Sequence, residues 1–175
     1  MIIVDFGDGR KANRLPGYDY SRNGIYFVTT CVKEFYCVFG NVVRKRMIPN
    51  RIGHAVIMHW HWLAVEFAYV RLHEFTLMPN HFHGILEIDS ELIFGSKDQE
   101  EANEIGKLKI KSLSDLIGAF KSKSSEEIHN LGNEEFSWQR SFHDVIIRND
   151  QALKSISRYI RNNPANWKED EWIQE

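Results

Sequence analysis

Two groupings of residues in this 175-residue chain could do chemistry together. The first is His81 and His83, in Met78-Pro79-Asn80-His81-Phe82-His83-Gly84-Ile85-Leu86; the second is Tyr159 and Asn163, in Tyr159-Ile160-Arg161-Asn162-Asn163-Pro164. On a β-strand alternate residues share a face, so His81 and His83 point one way while Phe82 points into a core. Two neutral imidazoles side by side are half of a metal site. On a helix, residues four apart share a face, so the carboxamide oxygen of Asn163 is a candidate third ligand beside the phenol of Tyr159. A mixed nitrogen and oxygen site with open positions suits Mg²⁺ or Mn²⁺ bound together with a phosphate, the imidazoles leaning toward Mn²⁺. The ion would act as a Lewis acid on a phosphoryl oxygen while Tyr159 attacks in line. A phenol is mostly protonated at neutral pH, so a base or cation must assist it, and the sequence leaves that group open. His59 and His61 repeat the spacing, but on a helix they stand about 200° apart and cannot share an ion.

The elements that must position these groups follow from local pattern. Gly24 to Val32 is rich in β-branched and aromatic residues and reads as a strand. Phe39 to Val43 runs into Arg44-Lys45-Arg46, which closes a small hairpin. From Ile52, apolar residues at Ala55, Val56, His59, Leu63 and Phe67 have helical spacing after Pro49-Asn50. Tyr69 to Leu77 and His81 to Ile88 read as neighbouring strands joined tightly at Pro79-Asn80, and Asp98 to Lys107 as a polar loop. Ser112 to Asp115 resembles a capping sequence, followed by the stripe Leu113, Leu116, Ile117, Phe120, Ser124, Ile128 and Leu131, ending at Gly132. Phe136 to Ile147 gains strand character late in its run, and Asn149-Asp150 then caps a last helix that Pro164 stops. The order is β-α-β-β-α-β plus a C-terminal helix. It predicts an α+β, ferredoxin-like split βαβ sandwich with an antiparallel sheet, the added helix carrying the tyrosine.

A chain of this length with 43% hydrophobic residues and four prolines is expected to form one domain over residues 1–175, with its core at about 20–164. There is no run of eighteen apolar residues, and Asp5 and Asp8 cut short the apolar start, so neither a membrane span nor a secretory signal is expected. A cytoplasmic protein with reduced Cys31 and Cys37 follows. The net charge of −2 hides a segregation: residues 10–51 carry nine Lys/Arg against two acidic residues, and residues 52–105 carry two against nine. Such blocks can place a basic face on a neutral protein, although ordinary solvated surface produces the same blocks.

Met-Pro-Asn-His-Phe-His-Gly-Ile, with Trp138-Gln139-Arg140, Ile147-Arg148-Asn149 and Tyr159-Ile160-Arg161-Asn162-Asn163-Pro164 downstream, resembles the single-tyrosine HUH transposases of insertion sequences. Within these it is most similar to the REP-associated tyrosine transposases, whose opening is like Arg14-Leu15-Pro16-Gly17-Tyr18-Asp19-Tyr20-Ser21 here. The likeness spans about residues 10–167. It implies a ferredoxin-like domain that cuts single-stranded DNA, leaves a 5′-phosphotyrosine and a free 3′-hydroxyl, and rejoins strands by the reverse step. Carried across, His81 and His83 match the metal-binding histidines, Tyr159 the nucleophile and Asn163 the third ligand position. Many relatives have a basic residue, often His, where this chain has Val145.

Single strands are held by cations and by aromatic rings on which bases stack, each stack worth roughly 1–3 kcal/mol. The candidates for single-stranded or hairpin DNA are Arg14, Tyr18, Tyr20, Lys121, Lys123, Trp138, Arg140, Arg148, Arg158 and Arg161. Two other readings stay open: a nucleic-acid-binding protein of the same fold without catalysis, and a metal hydrolase pairing the histidines with Glu87. A monomer is favoured over a homodimer, because little chain follows the tyrosine helix.

Overall fold

The structure, a computed structural model, describes residues 15–94 and 109–169. The expected loop at Asp98–Lys107 and the candidate Arg14 lie outside the described residues. The main sheet has four strands, β1 (Gly24–Cys31), β4 (Val70–Leu77), β5 (His81–Ile88) and β6 (His143–Ile147), in the order β4-β5-β1-β6. Every neighbouring pair is antiparallel. Helix α1 (Arg51–Glu66) joins β1 to β4 with β5 between them, and α3 (Leu113–Asn130) joins β5 to β6 with β1 between them. These are the two interleaved split βαβ units that the element order predicts. A separate hairpin, β2 (Gly40–Val43) with β3 (Arg46–Pro49), stands between β1 and α1. A short α2 (Glu91–Phe94) and a 3-10 turn at Lys33–Phe35 are additions to the expected order.

Local chemistry fixes the helix starts. Asn50 accepts from Gly53 N–H ahead of α1, and its amide also donates to Val38 O, so the cap ties helix to hairpin. Ser112 and Asp115 form a complete capping box at α3. Asn149 accepts from Ala152 N–H at the start of α4 (Asp150–Asn162). The last helix gives way at Asn163, one residue before Pro164, and the chain continues as the 3-10 segment Asn163–Glu169.

The sheet has two covered faces. On one, Tyr26, Val28, Phe82, Leu86 and Ile88 pack against Trp60 and Leu63 of α1 and Leu116, Phe120 and Ile128 of α3. Here α1 buries Trp60 rather than the expected His59, which is half-buried. Gly84 lets that indole close on the sheet: a Cβ there would stand 2.5 Å from Trp60 Cζ2. On the other face, Phe27, Ile85 and Ile147 meet Ile156 and Ile160 of α4, with Tyr159 packed alongside. Strand β5 is therefore buried on both sides, which is why its sequence reads as an almost unbroken apolar run. No helix among the described residues is long and apolar enough to cross a membrane.

Candidate active site

The α4 face of the sheet gathers the residues that the spacing argument singled out. His81 and His83 both lie on it, each about 1% exposed, with ring centroids 4.6 Å apart. The Tyr159 ring lies against His83 at 5.5 Å between centroids and edge-on to Phe27 at 6.2 Å. Asn163, one helical turn beyond Tyr159, is 6% exposed. Residues 81, 83, 159 and 163 thus meet although nearly eighty positions separate the two motifs.

Both imidazoles are oriented by a second residue. His81 Nδ1–H donates to Asn80 Oδ1 at 2.7 Å, and the Asn80 amide is turned by donating to Phe35 O at 3.0 Å. His83 Nδ1 shares a 2.7 Å hydrogen bond with the hydroxyl of Thr29, its cross-strand neighbour on β1. Burial pushes the His81 imidazole down to about 3, with the Asn163 carboxamide acting in the opposite sense. Burial, reinforced by His81, likewise holds His83 well below the ordinary histidine value. Both rings are neutral at pH 7, the state a metal ligand requires. His83 Nε2 is buried with no hydrogen-bond partner among the described residues, and Asn163 Oδ1 is buried beside His81. A pair of neutral, Nδ1-anchored imidazoles beside a buried carboxamide oxygen fits a divalent ion, since ligating histidines characteristically commit their other ring nitrogen to a hydrogen bond.

Thr29, Asn80, His143 and Trp167 belong to this neighbourhood without having been singled out from the sequence. His143 is the cross-strand partner of Thr29 on β6, which sets Thr76, His83, Thr29 and His143 in one row across the four strands. Trp167 of the 3-10 segment lies 5.9 Å from His81 between ring centroids. Asn80 was legible as the neighbour of His81, whereas Thr29 is 54 residues away and only strand pairing reveals it. Val145, in the same strand register as Phe27, is 41% exposed on this face.

Several candidate DNA contacts have other roles. Trp138 is 8% exposed, donates its indole N–H to Ser124 Oγ and packs on Phe39, Phe120 and Phe136; it is a core residue rather than a stacking platform. Tyr20 is buried in a cluster with Tyr18 and Tyr26, and half-buried Tyr18 is edge-on to both. Lys121 donates from Nζ to Gln139 O and Ser141 O, pinning the loop before β6, and burial pushes its ammonium down to about 8. Lys123 pairs with Glu126. Both lysines sit on α3, across the sheet from Tyr159. Arg161 donates to Glu74 of β4 and so fastens α4 to the sheet edge. Arg140, Arg148 and Arg158 are exposed. The alternative ligand Glu87 accepts from His73 at 2.7 Å and lies beside Arg71. It is four residues along the strand from His83, about 13 Å away, so the hydrolase arrangement is not assembled.

No protein-family model matches the chain. It is 34% identical over 172 residues to an uncharacterized protein of Haemophilus influenzae, covering 93% of this chain and 92% of the relative. In three dimensions it is similar to a REP-associated tyrosine transposase solved bound to a REP hairpin, with a TM-score of 0.55 and 17% identity over 91% of this chain and 75% of that one. That likeness establishes the HUH transposase-like fold. On its nearly full-length identity, the chain belongs to the family of the Haemophilus influenzae protein.

Proposed function

We propose that this protein is a metal-dependent single-strand DNA endonuclease and strand transferase, transposase-like, acting through a 5′-phosphotyrosine. One observation carries the reading: the phenol-bearing ring of Tyr159 rests against His83, on the sheet face where His81 and Asn163 also lie. The solved neighbour's REP hairpin supports DNA as the partner. His81, His83 and Asn163 would hold Mg²⁺ or Mn²⁺, which supplies Lewis-acid neutralisation of the charge developing on the phosphate.

The chain's own groups do the rest. Thr29 and Asn80 fix the tilt of the two imidazoles, so the site is set before substrate arrives. Phe27 and Ile156 hold the ring of Tyr159 in place, which reduces the entropy lost in reaching an in-line geometry. The Tyr159 oxygen forms a bond to phosphorus as the bond to the 3′ oxygen breaks. The phenol gives up its proton and the departing 3′ oxygen gains one. One phosphodiester is exchanged for another, so no external energy source is needed and the same groups run the rejoining step backwards.

The test is incubation with 5′- and 3′-labelled single-stranded hairpin DNA plus Mg²⁺ or Mn²⁺, resolved on a denaturing gel. A protein-linked product that carries the label 3′ of the cut and disappears in Tyr159→Phe is expected. DNA binding with no covalent product in the wild type would refute the nuclease reading and leave a binding protein of the same fold.

A further inference from the structure

The β2–β3 hairpin is not part of the four-stranded sheet, and its tip is chemically unusual. Val43 pairs with Arg46, so Arg44 and Lys45 alone make the turn, at φ of 49° and 64°. Two-residue hairpin turns with positive φ at both positions favour Asn-Gly or Asp-Gly, because a Cβ is crowded there. This chain puts two long cations in those positions and a third, Arg46, immediately after. Among the described residues none of the three makes an ion pair or a side-chain hydrogen bond. Strain retained at exposed, unpaired cations points to a role outside the fold.

The root of the hairpin is tied to the candidate site. Val38 N–H and Phe39 N–H both donate to Pro79 O, two residues before His81, at 2.9 and 3.0 Å. Strand β3 packs against the 3-10 segment that carries Asn163 and Trp167. Four residues of strand raise the tip about 13 Å from that root. No residue from Gly40 to Pro49 is aromatic, so the hairpin offers charge without a ring on which a base could stack.

We infer that the β2–β3 hairpin is a phosphate clamp, in which Arg44, Lys45 and Arg46 grip the sugar-phosphate backbone of the DNA single strand beside the Tyr159 site. The inference rests on the proposed nuclease reading for its ligand. Contacts of this kind are independent of base sequence and sensitive to salt.

The experiment measures binding of a fluorescein-labelled stem-loop oligonucleotide with single-stranded arms, by anisotropy across a salt series, in a Tyr159→Phe background. Three backbone contacts on a single strand contribute about 2 to the slope of log affinity against log salt. The variant Arg44→Gln/Lys45→Gln/Arg46→Gln should lose that amount, for oligonucleotides of unrelated sequence alike, while Arg44→Lys/Arg46→Lys keeps it. Arg44→Asn/Lys45→Gly relaxes the turn; it should melt at or above the wild-type temperature and still lose about 1.4 of slope, which separates charge from folding. An unchanged slope in the triple variant overturns the clamp, even if the wild type forms the covalent product. A reduced slope with no covalent product in the wild type upholds the clamp and refutes the nuclease. A wild type that does not bind the oligonucleotide refutes both.

Discussion

Acidification should unfold the metal-free protein through its paired imidazoles. His81 is buried with its ring held neutral, its value pushed down from 6.5 to about 3, whereas in the unfolded chain it titrates normally. Between those values the unfolded state binds the extra proton, so stability is full above the unfolded value and falls as the pH drops. Lowering the pH from about 7.5 to about 5 costs roughly 2 kcal/mol through His81 alone. His83 acts in the same direction. The measurement is urea unfolding of EDTA-treated protein at several pH values, followed by the fluorescence of buried Trp60 and Trp138. His81→Asn keeps a donor for Asn80 Oδ1 but cannot titrate, so its stability should decline less steeply with acid by about that amount. Equal pH slopes in wild type and variant would refute the argument that His81 is buried neutral.

Other outcomes follow from the same contacts. Mn²⁺ should raise the unfolding free energy of the wild type by about 2.7 kcal/mol at a hundred times its dissociation constant, with a higher melting temperature, and do nothing for His81→Asn/His83→Asn. Calorimetry with and without the ion checks this. Gly84→Ala drives a methyl into Trp60 and should cost about 1–3 kcal/mol in denaturant unfolding. Trp138→Ala should cost about 3–5 kcal/mol, and the folded fraction should bind DNA as the wild type does, because the ring fills a core rather than a surface. Arg161→Gln and Glu74→Gln should perturb strand cleavage alike if Arg161 acts by fastening α4 to β4; weaker DNA binding in Arg161→Gln alone would mean that the guanidinium touches DNA.

The local signals were strong where backbone chemistry is local. Capping at Ser112 and Asn149, the alternation of His81 and His83, and the stripe from Leu113 to Ile128 were readable because they depend on neighbours within four residues. The order of strands and helices then left few ways to bury each apolar face, and the split βαβ plan is one of them. What spacing could not say is which side of the sheet each surface residue occupies. Trp138 and Lys121, both candidate DNA contacts, fall on the α1–α3 layer because α3 carries Lys121 and the Trp138 ring packs on Phe120 of that helix, and burial turns an aromatic platform into core. The Thr29 bond to His83 and the meeting of Tyr159 with His83 arise from pairings across 54 and 76 residues. Periodicity along the chain determined the elements and the motif residues on them. The tertiary fold decided their company, since only long-range packing brings a helix face and a strand face to the same few ångströms.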